Sequence, residues 1–172
     1  MKVSSLIGPL IIIAFAVTIR LLPHPANVSP IAALALFGGV YLSRKYALVI
    51  PLIAMFISDL FLGFHASMPL VYLGFFLTGI IGIWLSKHKS SFSVVLATLG
   101  SSILFYILTN FNYWYATSLY PKTLNGLFQS YFNALPFFRN SLLGDLFYVG
   151  LFFGAYELGL RFSKKSIAAK AQ

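Results

Sequence analysis

Six stretches of this chain, at 4–22, 29–42, 46–63, 68–86, 92–110 and 141–162, are apolar almost throughout, in continuous runs and not in alternation. In hydrocarbon every backbone polar group must be bonded within the protein, so only helices and closed barrels cross a bilayer. A barrel reads as alternating segments of roughly ten residues, whereas continuous runs near the roughly 20 residues needed to span read as helices. The expected fold is an all-α membrane protein, a six-transmembrane-helix bundle forming one integral membrane domain over residues 1–172. The second run is short, so it extends through the preceding turn, sits in locally thinner protein, or is partly re-entrant. Pro23, Pro25 and Pro30 keep the first connection non-helical. The first run follows Lys2 as a signal peptide does. It is too long for one, and no small-residue cleavage site precedes Pro23, so it reads as a retained helix.

Composition agrees with a bilayer as solvent. Hydrophobic residues make up 59% and charged residues 9%, where soluble domains carry about a quarter charged. The absence of cysteine excludes disulfides, thiolate metal sites and cysteine nucleophiles. A formal charge of +9 raises nucleic acid as a partner, but the basic residues fall in short groups between apolar runs and leave no solvated basic face. Nucleic-acid binding is not expected.

Those basic residues orient the bundle. With a cytoplasmic N-terminus, the inner side holds Lys2, Arg44, Lys45, Lys87, Lys89, Arg161, Lys164, Lys165 and Lys170, and the outer side Arg20, Lys122 and Arg139. An even helix count then makes both termini cytoplasmic, in a multi-pass protein of the inner (cytoplasmic) membrane.

This orientation gathers the rare polar groups at the outer end. Two of the three acids, Asp59 and Asp145, lie inside apolar runs, where a charge costs roughly 2.5–3.5 kcal/mol on insertion scales and so usually marks a site or a pair. Near them fall Arg20, His24, Asn27, His65, Asn110, Arg139 and Asn140. Asn110 and Trp114, one helical turn apart, are expected to face inward. These ten residues form the expected small-molecule site: Arg20, Asp59, Arg139 and Asp145 supply charge, His24, His65, Asn27, Asn110 and Asn140 hydrogen bonds, and Trp114 a stacking wall. Two acids against two arginines make the pocket roughly neutral, which favours a zwitterionic or neutral polar ligand. The structural alternative is an ion-pair staple, with Arg20 bound to one acid and Arg139 to the other, or with Arg20 snorkelling outward. The third acid, Glu157, lies one turn before Arg161 and reads as a local ion pair near the inner interface.

The long connection 111–138 contains a helical pattern near 123–135. Leu124, Leu127, Phe128, Tyr131, Phe132 and Leu135 share one face, and Asn125, Gln129, Ser130 and Asn133 the other. Thr123 caps the start and Pro136 ends it. A short amphipathic outer helix follows, lying on the membrane surface or folding over the bundle mouth as a lid.

Soluble-enzyme motifs are missing, including any phosphate-binding loop for ATP. Gly100-Ser101-Ser102 has the form of an intramembrane serine nucleophile, but Gly-Ser in membrane helices usually serves close packing. A metal set from His24, His65, Asp59 and Asp145 is chemically allowed, yet its ligands are scattered over separate segments. No cofactor, no metal and no catalytic activity are expected. The rival to a binding protein is an intramembrane enzyme using Asp59 and His65 as an acid–base pair. Small residues, among them Ala35 and Gly39, permit close helix approach inside the protein or against a partner.

The run from Arg20 through His24, Asn27 and Pro30 to Gly39 resembles the start of an uncharacterised family of bacterial membrane transport proteins. Ser58-Asp59-Leu60-Phe61-Leu62-Gly63-Phe64-His65 resembles its next block, followed by Thr109-Asn110-Phe111, Trp114, Tyr120-Pro121, Pro136-Phe137-Phe138, Asn140 and Gly144-Asp145. The resemblance implies kinship with the substrate-binding S subunits of energy-coupling factor (ECF) vitamin transporters: six helices, both termini inside, and an outward-facing pocket capped by outer loops. It further implies an ATPase and transmembrane coupling subunit as partners. Those subunits dock through an Ala-xxx-Ala pattern on helix one, where this chain has Ser4-xxx-Gly8. The nickel and cobalt members use a histidine close to the N-terminus, and Met1-Lys2-Val3 has none.

Overall fold

The computed structural model describes residues 7–170, with side chains described for 11–160 and 162. Six helices follow one another within it: α1 (Ile7–Leu21), α2 (Ile31–Tyr41), α3 (Arg44–Leu62), α4 (Met68–Leu85), α5 (Ser91–Ala116) and α6 (Leu124–Lys170). The expectation of six spans is corrected to four among the described residues. Arg44–Leu62, Met68–Leu85, Ser91–Ala116 and Leu124–Leu160 are long and apolar enough to cross a membrane. The 11 residues of α2 reach only about 16 Å, and the 15 of α1 about 22 Å, against a hydrocarbon core of about 30 Å. Both termini, with the cytoplasmic location expected for them and the Ser4 position of helix one, lie outside the described residues.

The short second helix is buried because it is the centre of the bundle. Ile31, Ala33, Leu34, Ala35 and Leu36 are all buried, leaving α2 no polar face and no exposed stripe. It packs on α3, α4, α5 and α6, most closely on α4. A backbone crossing sets that closeness. A Cβ built on Gly82 falls 2.7 Å from the Leu36 carbonyl oxygen and 2.9 Å from that of Ala35, and one built on Gly39 overlaps the Gly82 backbone. Ala35 and Gly39 therefore serve packing within the protein.

The outer surfaces carry the opposite pattern. Phe56, Phe61, Ile80, Trp84, Leu96 and Phe147 stand exposed on four different helices. A surface this apolar is stable when hydrocarbon is the solvent, and the chain is a multi-pass membrane protein.

The separate amphipathic helix expected near 123–135 is corrected too, because those residues are the first turns of α6, which continues through Pro136. Proline lacks the N–H that would bond the carbonyl four residues back, and in membrane helices neighbouring elements commonly compensate. Here Tyr106 of α5 grips α6 on both sides of Pro136. Its hydroxyl donates to the Tyr131 carbonyl at 2.6 Å, and its ring lies 4.7 Å from that of Phe138. Tyr131 answers by donating to the Ile107 carbonyl at 3.0 Å. Leu124, Phe128 and Phe132 face outward, while Ser130 is buried against the bundle.

Candidate functional site

The polar residues meet at one end of the bundle, where α1, α3 and α5 finish and α2 and α4 begin. The antiparallel run of α3 into α4 through a short turn sets Asp59, near the end of α3, beside Tyr72 in the second turn of α4. Gly63 makes that turn possible: its φ of +94° is a conformation that side-chain-bearing residues rarely adopt. Asp59 is 1% exposed and both of its oxygens are occupied. Arg20, from the last turn of α1, places Nη1 2.6 Å from Oδ1, and Tyr72 donates to Oδ2 at 2.8 Å. The same guanidinium nitrogen also donates to the Ser58 hydroxyl and, at 3.3 Å, to the Met55 carbonyl. One carboxylate thus ties α1, α3 and α4, which is the ion-pair staple of the structural alternative with its Arg20–Asp59 arm formed.

The second arm is absent. Arg139 is exposed and makes no ion pair with Asp145. Asp145, 9% exposed on α6, instead accepts from Ser102 of α5 at 2.7 Å through Oδ2. Ser102 is also bonded to the Thr98 carbonyl at 3.0 Å, so of the Gly100-Ser101-Ser102 run it is Ser102 that orients a carboxylate. Asp59 and His65 share no hydrogen bond among the described residues. Arg20 and Tyr72 each hold one oxygen of Asp59.

Beside the staple lies a cavity of about 580 Å³, bounded by residues from all six helices and the loops at this end. Arg20, His24, Asn27, His65, Asn110 and Asp145 line it; Asp59, Trp114, Arg139 and Asn140 do not. His24 sets its ring nitrogens 3.1 Å from the Arg20 carbonyl and 3.0 Å from that of Pro25, bracing the loop after α1. Asn27 takes a left-handed φ of +64°, which asparagine tolerates better than most residues. Asn110 donates to the Tyr106 carbonyl at 2.8 Å from within α5.

The residues away from the cavity hold its walls. Asn140 donates to the Ala26 carbonyl at 3.3 Å, and Val28 packs on Gly144, so α6 clasps the α1–α2 loop next to Asp145. Trp114 closes the turn between α5 and α6. Its indole donates to the Pro121 carbonyl at 2.8 Å, and Lys122 donates to the carbonyls of Trp114 and Thr117. Sequence reasoning missed Tyr72 and Ser102, the partners of the two buried acids, along with Tyr106, Ser130 and Asn133 on the cavity wall. Ser130 and Asn133 belong to the polar face of the 123–135 pattern; Ser130 is buried and Asn133 lines the cavity, while Asn125 and Gln129 of the same face are exposed.

At the opposite end Glu157 accepts from Tyr41 at 2.7 Å and pairs with Lys89, whose ammonium sits 4.6 Å from the Tyr41 ring centroid. This links α2 and α6 to the α4–α5 loop. The Arg161 side chain expected beside Glu157 lies outside those described.

Over residues 2–168 the chain matches the model of a family described as a Family of unknown function (DUF6580). No curated protein and no solved structure matches it.

Proposed function

The chain belongs to that family of unknown function, and we propose that its members of this form bind a small molecule in the stapled end of the bundle, as a transport protein does, without chemical turnover. The observation that carries the reading is the cavity itself. At about 580 Å³ it falls within the usual range for small-molecule sites, and its lining combines apolar and aromatic side chains with many polar ones. Arg44 and Lys45 at the start of α3 and Lys87 and Lys89 after α4 gather at the other end, which supports an outward-facing cavity by the positive-inside rule. Transport is the use that resemblance to S subunits implies. Such a bundle carries no motor, so movement would come from rocking of the helices or from a partner ATPase.

Native mass spectrometry of the purified protein tests the reading. A small molecule should be retained by the wild type and lost in Ala134→Trp, which fills the cavity from its α6 wall. A wild type that retains nothing, with unchanged thermal stability when the cavity is filled, would count against it.

A second reading is favoured by the saturation of Asp59: the buried polar groups serve architecture, and the protein acts as a structural membrane component. Under that reading, replacing Arg20 and Asp59 together by apolar residues leaves every property intact and raises thermal stability.

A further inference from the structure

Besides tyrosines, the cavity wall carries Arg20, His24, His65 and Asp145 as charged or titratable groups; Asp145 is its one carboxylate, and among the described residues it has no cationic partner. Arg20 is spent on Asp59 at 2.6 Å. His24 has its two ring nitrogens on backbone carbonyls. His65 lies on the wall without an acidic neighbour in hydrogen-bond reach among the described residues. Asp145 accepts one hydrogen bond, from the neutral hydroxyl of Ser102, and no hydrogen bond among the described residues reaches Oδ1. The side chain is nine-tenths buried, yet it belongs to the cavity lining. The arginine expected to neutralise it, Arg139, stands on the outside of α6.

A carboxylate withdrawn from water in this way calls for a counter-charge. The surroundings say what shape that counter-charge can take. Phe75, Phe105, Tyr106, Phe137 and Phe138 supply aromatic wall close to the carboxylate's helix pair. Aromatic faces attract cations and bury apolar bodies. A carboxylate at one point of an aromatic-walled cavity matches a single positive charge on an apolar body. It does not match an anion, and Arg20, the arginine on the same wall, has its Nη1 committed to Asp59, Ser58 and Met55.

We infer that the cavity selects organic monocations, with the ammonium of a protonated amine held at Asp145 Oδ1 and the apolar part of the molecule against the aromatic wall. This rests on the proposed binding role of the cavity and gives it a ligand class, displacing the neutral or zwitterionic ligand that a two-acid, two-arginine balance favoured.

Three size-matched probes test it on the full-length protein in detergent: phenethylamine, a cation at neutral pH; phenethyl alcohol, neutral; and 3-phenylpropionate, an anion. Binding is read by isothermal titration calorimetry. The amine should bind about tenfold or more tightly than the alcohol, the scale of a hydrogen bond to a charged group, and the anion should bind weakest. Asp145→Asn should bring the amine down to the level of the alcohol. Should the variant fail to fold, the charge series in the wild type alone still decides. Equal binding of amine and alcohol, with both lost in Ala134→Trp, would overturn the charge selection while leaving the cavity as a binding site. That result would mean Asp145 carries its own proton. If none of the three binds, and Ala134→Trp changes nothing, the binding role falls and this inference with it.

Discussion

Arg20 on α1 and Asp59 on α3 approach to 2.6 Å across 39 residues of chain, and Tyr72 of α4 holds the other carboxylate oxygen at 2.8 Å. A pair so placed differs from a surface ion pair. The Asp59 side chain is 1% exposed and that of Arg20 15%, and removing Arg20 leaves a buried charge without its complement. Arg20→Met is therefore expected to cost about 3–5 kcal/mol, whereas Arg20→Met with Asp59→Leu should recover most of that loss. Thermal unfolding in detergent measures both. A double variant as unstable as the single one would show that the loss comes from packing at Arg20 and not from stranded charge.

Tyr72→Phe isolates the third arm of the same staple. The ring keeps its place, but Asp59 Oδ2 loses its donor. The expected cost is about 1–3 kcal/mol, that of an unsatisfied buried acceptor. Hydrogen exchange should localise the change to the ends of α1, α3 and α4 and spare the Lys89–Glu157 end.

Much of this end of the molecule could be read from the chain because its reasons are local. Buried acids in apolar runs need partners, and Arg20 sits one Pro-rich turn from the segment that had to pass Asp59. Tyr72 was legible in principle, since a short turn places the fifth residue of α4 beside the end of α3, but a tyrosine among ten gives no signal of its own. The reach of Arg139 was not legible. Whether it meets Asp145 depends on the rotation of α6, and six residues of helix put the two on different faces. Helix α2 misled for a related reason: an apolar run reads as a span whether lipid or protein surrounds it. Pro136 misled because the helix runs on through it, with the flanking turns held from α5 by Tyr106 at Tyr131 and Phe138, a contact that no local pattern announces. Trp114 was assigned to the cavity by its one-turn spacing from Asn110, yet its indole found a nearer acceptor at Pro121.

The α2–α4 crossing leaves no room for a side chain. A Cβ on Gly82 would sit 2.7 Å from the Leu36 carbonyl oxygen, a backbone atom that cannot swing aside. Gly82→Ala should cost about 1–3 kcal/mol through overpacking, and Gly82→Leu should prevent the bundle from assembling. Gly100→Ala is the control, because nothing lies within 4 Å of a Cβ there, and alanine should stabilise that helix slightly. Monodispersity on size-exclusion chromatography and unfolding temperature report both. Tolerance of Gly82→Leu would contradict the close crossing.

Tyr106 fastens the first third of α6, so Tyr106→Phe should loosen it without unfolding the rest. The lost hydrogen bond to the Tyr131 carbonyl is worth about 1 kcal/mol, a change that global unfolding registers weakly. Amide exchange over 124–135 should accelerate several-fold, since regions held by few contacts open locally first, while exchange in α2 and α3 stays at its wild-type rate. Uniform acceleration would mean that the grip belongs to the global core.

The Lys89–Glu157–Tyr41 cluster at the opposite end makes a pH prediction. Burial works to lower the Lys89 ammonium, but hydrogen bonding and attraction to Glu157 and Tyr41 outweigh it, and the group titrates above its ordinary value. A lysine raised in the folded state contributes stability that is fully present below the unfolded value, about 10.4, and is lost as pH rises through the higher folded one. The difference in unfolding temperature between wild type and Lys89→Met should therefore be constant from neutral pH up to about 10 and shrink beyond it. It should also be small and salt-sensitive, since both side chains are more than a third open to solvent or close to it. A difference that persists undiminished at high pH would assign the role of Lys89 to its aliphatic stem over the Tyr41 ring and not to its charge.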